Sequence, residues 1–309
     1  MKPLQLALVA LMATCFTANA QTPLWQGKGR ITISSDGNEH DEDDWAASSL
    51  SLALLSAEGL QDNLVLYTYS DHIWGSSQYH PTSESGLNAY EHMRESVLKG
   101  AEYFGFDKTN FICAVDNAEV AYNAVRDEIN KSSADNPLFI IAGGPMQVVG
   151  EGISRANIDK RQFVTLISHS EWNNNHSDKP EYYIKNLEWD RHSGWTFNEI
   201  KNEFSSMRGG GLKCVQILDQ NGGENYEGLN TSIESYDWIK TSKVKQKYKK
   251  GAWEWLYKRF ETCKKNNGKN FDPSDAGMVI FLLTGIEKTN PGIARKIMEN
   301  TQNQSTKIY

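Results

Sequence analysis

Short β-branched segments alternate with helix-length segments along the first half of this chain, and that alternation admits few folds. Arg30 to Ser34, Leu64 to Tyr69, Asn110 to Val115, Leu138 to Ala142 and Phe163 to Ile167 read as strands. Between them, Trp45 to Glu58, Leu87 to Phe104 and Ala118 to Ile129 carry apolar residues at helical spacing. Strands separated by helices pair in parallel, so the expected class is α/β: a mostly parallel central sheet flanked by helices. No Pro/Gly/Ser linker and no internal repeat divides the sequence, which predicts a single domain over 21–309.

Polar residues gather just beyond these strands. The densest group is Ser35-Asp36-Gly37-Asn38-Glu39-His40-Asp41-Glu42-Asp43-Asp44, with six carboxylates in the nine residues from Asp36 to Asp44. Such charges repel unless a hard cation gathers them, and Asp and Glu oxygens are ligands of the kind Ca²⁺ takes. Equally, an acidic turn before a helix is favoured by the helix dipole without any metal. Tyr69-Ser70-Asp71-His72, Gly143-Gly144-Pro145 and Ser168-His169-Ser170-Glu171-Trp172-Asn173 end three further strands, which predicts one cleft along one edge of the sheet. Late in the chain Asp272-Pro273-Ser274-Asp275 opens an apolar helix, Met278 to Thr284, where Ser or Asp suits an N-cap. The Lys-rich run from Lys243 to Lys250 reads as a solvated helix face.

Residues 1–20 combine Lys2, the apolar run Leu4 to Met12 and the small residues Ala18-Asn19-Ala20, the pattern of a signal peptide cut before Gln21. The expected location is therefore secreted or periplasmic. The apolar run is shorter than the ~20 residues a membrane span needs. The 39 acidic and 32 basic residues leave a net charge of −7, which offers polyanions no attraction and argues against nucleic acid as a partner. Beyond Cys15 in the leader, Cys113, Cys214 and Cys263 lack metal-ligand spacing and read as free thiols.

Four of these segments, in order, resemble the nucleoside hydrolase family. Ser34-Ser35-Asp36 and Asp43-Asp44-Trp45-Ala46 are similar to its opening aspartate cluster, with Ser34 replacing the first aspartate and three extra residues in the loop. Ile140-Ile141-Ala142-Gly143-Gly144-Pro145 resembles its strand ending in Gly-Pro, and Glu171-Trp172-Asn173 its Glu-aromatic-Asn triplet. Ser274-Asp275 corresponds to its final His-Asp pair, with Ser274 in place of the histidine that in some members assists the departing base. The Gly37-Asn38-Glu39 insertion is similar to an outlying, secreted branch.

The resemblance implies a Rossmann-like fold and Ca²⁺ held by Asp36, Asp44, Asp275 and the Gly143 carbonyl. It further implies Asp36 as catalytic base with Asp43 assisting, and substrate contacts from Asn38, Asp71, His72, His169, Glu171, Trp172 and Asn173. Among His72, His169, His176 and His192, His169 is the favoured acid for the leaving group. Trp74, Trp172 and Trp195 are candidates for stacking on sugar faces. The implied reaction is hydrolysis of a glycosidic bond by metal-activated water. An N-ribosyl bond, an O-glycoside of an oligosaccharide, and a non-catalytic sugar- or calcium-binding protein remain three open readings, as does a homo-oligomer.

Overall fold

The structure, a computed structural model, describes residues 22–38, 42–73, 87–175, 194–205, 210–244, 248–267 and 270–299. The leader, Trp74, His176 and His192 lie outside them. Six strands form one sheet: β1 (Arg30–Ser35), β2 (Leu64–Tyr69), β3 (Asn110–Cys113), β4 (Leu138–Gly143), β5 (Val164–Ser168) and β6 (Lys213–Gln216). Every pairing is parallel, and the order across the sheet is β3-β2-β1-β4-β5-β6. The expected α/β architecture is what the chain adopts.

The strand faces sort by alternation. Ile31, Ile33, Phe139 and Ile141 join one core, whereas Leu66, Leu138, Ile140, Ala142 and Leu166 join the other. On the first side lie α1 (Glu42–Ala57), α2 (Ala89–Phe104), α9 (Ala252–Asn267), α10 (Ala276–Thr284) and α11 (Pro291–Glu299). On the second lie α3 (Ala118–Asn130), α4 (Gln147–Arg155) and α7 (Phe197–Phe204). The shorter helices α5 (Ile158–Arg161), α6 (Glu171–Asn175) and α8 (Trp238–Thr241) complete the connections. Helix α1 is buried on every side from Asp44 to Ala57, since α2, α9, α10 and α11 all pack around it. A helix apolar all round belongs inside a core, and its Leu50-Ser51-Leu52-Ala53-Leu54-Leu55 run fits that position.

Two sequence readings shift here. Part of the Lys-rich run, residues 245–247, lies outside the described residues; its end precedes α9, which starts at Ala252, and Lys249 is not free in solvent but binds Glu102 on α2 at 3.0 Å. Trp195 packs against Gly150 and Phe204 with its indole N–H on Glu151 (3.1 Å), so it covers the second core and not the cleft. Cys113, Cys214 and Cys263 are free thiols.

This strand order reverses direction between β1 and β4. The chain runs outward from β1 through β2 to β3, then returns to add β4 on the other side, which leaves a crevice beyond the carboxyl ends of β1 and β4. Ser35 and Gly143 are register partners at that point. The same topology serves phosphate binding in dinucleotide folds, through a glycine-rich turn at the first helix N-terminus. Here the first turn of α1 carries Glu42, Asp43 and Asp44, so its own carboxylates meet the positive end of the helix.

Candidate active site at the switch point

A cavity of about 180 Å³ opens at this crevice, lined by Asp36, Asp43, Asp44, His169, Ser170, Trp172, Asn173, Asn221, Ser274 and Asp275. Its first wall is the acidic loop. Gly37 sits at φ +81°, and a side chain there would collide with Met93 and Asp44, so only glycine makes this turn. The indole of Trp45 donates to the Gly37 carbonyl at 2.6 Å and stacks on His92 with ring centroids 4.5 Å apart. Behind it, the buried Arg259 donates to Ser96 Oγ (2.6 Å) and to the His92 carbonyl (2.7 Å). The loop is thus fastened from α9 through α2. Ser35 Oγ donates to Asp44 Oδ1 at 2.9 Å, which ties the end of β1 to the first turn of α1.

The Gly143-Gly144 pair forms the floor. A Cβ added at Gly143 would stand 3.1 Å from Asp275 Cγ, and one at Gly144 would stand 3.0 Å from the Asp36 amide nitrogen. Glycine here is a matter of close approach, because two aspartates rest directly on the end of β4. The Asp36 N–H donates to the Gly143 carbonyl at 3.3 Å.

The second wall comes from β5, β6 and α10. Asp275 occupies the N-cap position of α10, yet its side chain makes no cap hydrogen bond. Its Oδ1 is bound instead by Nε2 of His169 and by Asn173 Nδ2 at 3.2 Å. Ser274 is held through its N–H, which donates to Asp272 Oδ1 at 3.0 Å. Trp172 meets His72 edge to face, ring centroids 6.0 Å apart. Ser70 and Ser170 adopt left-handed backbone, φ +56° and +68°, just beyond β2 and β5. Such strain in non-glycine residues concentrates at functional sites.

The electrostatics are unusual for so small a space. Both oxygens of Asp36 are buried and no donor reaches them; the Asp44 carboxyl beside it can help only by keeping a proton. Burial pushes Asp36 up to about 8, helped by the charges of Asp275 and Asp71 and opposed by the bond to Asp44. Asp43 and Asp44 are held well above the usual carboxylate range, first by burial and then by neighbouring aspartates. Asp71 rises to about 7 through burial, moderated by hydrogen bonds from Ser34 Oγ and Thr68 Oγ1. Burial lowers His169, but the charge of Asp275 and hydrogen bonds to Asp219 and Asp275 outweigh it and raise the ring to about 9.

Among the described residues, no three His, Cys, Asp or Glu side chains already stand in a metal-ligating arrangement. The donor chemistry nonetheless fits a hard cation. Asp36, Asp43, Asp44 and Asp275 face one cavity, all oxygen donors, and the two orphaned Asp36 oxygens would gain a partner. Side-chain rotation would have to close the set.

The sequence-derived candidates divide accordingly. Asp36, Asp43, Asp44, His169, Trp172, Asn173 and Asp275 meet in the cavity, with Gly143 beneath Asp275. Asn38 lies behind it: its Nδ2 donates to the His72 carbonyl (2.9 Å) and its Oδ1 accepts from the His72 N–H (3.2 Å), pinning the loops after β1 and β2 together. Asp71 and His72 are buried beside these loops and do not line the cavity, and Glu171 is exposed on the first turn of α6. Sequence reasoning missed Asn221 and its neighbours Asp219 and Gln220. The usable signal was a polar triplet shortly beyond the strand-like Cys214-Val215.

No protein-family model matches this chain. It is 29% identical over 289 residues to uncharacterized protein P22 of Formosa agariphila, covering 91% of this chain and 92% of that protein. Among solved structures, Inosine-Guanosine Nucleoside Hydrolase (IG-NH) aligns with 82% of this chain and 78% of its own, at 12% identity and a TM-score of 0.38.

Proposed function

We propose that this protein is an exported, calcium-dependent glycosyl hydrolase of nucleoside hydrolase type. The observation that carries the reading is Asp36: a buried carboxylate with two orphaned oxygens, among three further aspartates, at the point where the sheet order reverses. Asp36, Asp44, Asp275 and the Gly143 carbonyl would hold the ion, with water and sugar hydroxyls completing its shell. When bound, calcium supplies orientation of sugar diols and acidification of a coordinated water.

The remaining roles belong to the chain's own residues. Asp36 is assigned as the base that accepts a proton from the attacking water, with Asp43 beside it. Ser170, Asn173, Asn221 and Ser274 offer hydrogen bonds to sugar hydroxyls, and the partly exposed Trp172 an apolar wall for the ring. Anionic side chains around the ring suit an oxocarbenium-like transition state.

An O-glycoside is the second reading. Ser274 stands where base-assisting members carry histidine, and His169 is engaged through both ring nitrogens. The deciding experiment is hydrolysis by residues 21–309 of nucleosides, aryl glycosides and oligosaccharides, each with calcium and with chelator. Chelator-sensitive release of base supports the N-ribosyl reading, and release of aglycone or sugar moves the protein to the second. Silence across the panel, with calcium still bound, leaves a binding protein and overturns the enzyme.

A further inference from the structure

We infer that His169 is a positioning residue: together with Asn173 it clamps one oxygen of Asp275, leaving the other to the cation. The inference rests on the calcium reading above.

Three observations converge on it. First, Asp275 stands at the head of α10 but its side chain does not cap it, so its carboxylate is oriented by something other than its own helix. Second, both donors that reach it, His169 Nε2 and Asn173 Nδ2, converge on the same atom, Oδ1. Oδ2 meanwhile faces the end of β4, where a Cβ on Gly143 would stand 3.3 Å away. A carboxylate held by one oxygen presents the other in a fixed direction.

Third, the far side of the imidazole is itself fixed. The Gln220 N–H is directed at His169 Nδ1 at 3.2 Å, which fixes the ring so that Nε2 is the atom turned to Asp275. Gln220 is fully buried and its side chain is fully used: Nε2 donates to the carbonyls of Leu218 (2.5 Å) and Glu287 (2.9 Å), and Oε1 accepts from Thr289 at 2.6 Å. Asp219 Oδ1 lies 3.7 Å from the same Nδ1. A satisfied glutamine joining the loop after β6 to the turn before α11 therefore sets the ring, and the ring sets the ligand. In this arrangement His169 orients a ligand and does not deliver a proton to a leaving group.

The test is calorimetric calcium titration of residues 21–309 as wild type, His169→Gln and His169→Asn, with thermal unfolding of each in chelator. A glutamine amide can occupy the position of Nε2, whereas asparagine reaches only that of Nδ1. Removing a partner that orients a metal ligand costs roughly 10–100-fold in affinity. We expect that loss for His169→Asn, affinity within about threefold of wild type for His169→Gln, and similar calcium-free stability for both. Wild-type affinity in His169→Asn overturns the inference, as does an equal loss in both variants that follows their unfolding temperatures. Should His169→Asn not fold, Asn173→Ala removes the other half of the clamp and must also weaken calcium; an unchanged affinity there overturns the inference. A wild-type protein that binds no calcium overturns the proposed function and this inference with it, whereas calcium binding indifferent to His169 and Asn173 overturns only the inference.

Discussion

The indole N–H of Trp45 and the carbonyl of Gly37, eight residues apart, form a 2.6 Å hydrogen bond that spans the mouth of the acidic loop. The bond is fully buried, and the ring that makes it is stacked on His92 in front of Arg259. Trp45→Phe keeps an aromatic ring but leaves the Gly37 carbonyl without its donor. We expect a loss of about 1–3 kcal/mol in urea unfolding, the cost of a buried acceptor left unsatisfied. Calcium affinity measured by calorimetry should fall with it.

Gly144→Ala tests the floor of the cavity. Its Cβ would stand 3.0 Å from the Asp36 amide nitrogen and 3.1 Å from Asp36 Oδ1, so the strand end and the aspartate must separate. The expected result is a folded protein destabilised by about 1–3 kcal/mol, the range for overpacking a tight site. Glycoside turnover should be lost while circular dichroism stays unchanged.

Asp36→Asn separates an enzyme from a binder. The amide preserves shape and can still offer an oxygen, but it cannot accept a proton from water. Turnover should fall about 10²–10⁴-fold, the usual worth of a general base. Sugar binding, followed by calorimetry, should persist; unchanged turnover would remove Asp36 from the chemistry.

Stability without calcium should run against the common trend with pH. Asp36 at about 8, Asp71 at about 7 and Asp272 at about 6 all lie above the ordinary 3.8, chiefly through burial. Between these limits the native state holds more protons than the unfolded chain, so raising the pH from about 4 to about 8 destabilises it. Calcium competes with those protons and should raise the unfolding temperature more at pH 8 than at pH 5. Thermal scans at both pH values, with calcium and with chelator, check both statements.

Much of this was legible because strands with β-branched residues end in polar clusters. The parallel sheet predicted one polar edge, and the resemblance of four strand and helix ends to one family picked Asp36, Asp44, Asn173 and Asp275 out of it. What stayed hidden depends on packing. Nothing local in Asn38 says that both ends of its amide serve the His72 backbone, and nothing in Arg259, within a helix of mixed charge, says that it is buried behind the acidic loop. The strand β6 is only four residues long with exposed ends, too brief a signal to mark Asn221 as part of the cavity wall or Asp219 and Gln220 as partners of His169 behind it.

The burial of α1 on all sides divides the cavity into two heritable parts. Asp44 lies in the first turn of a helix whose every following side chain is enclosed by four other helices, so a change in the acidic wall is also a change in the core. The opposite wall keeps Asp275 with its buried partners His169 and Asn173, but around them stand Ser170, Trp172 and Asn221, partly exposed residues on loops and a short helix that can vary without repacking the interior. In a lineage of such proteins the apparatus for the ion would pass on nearly unaltered while preference for the sugar drifts along the far side.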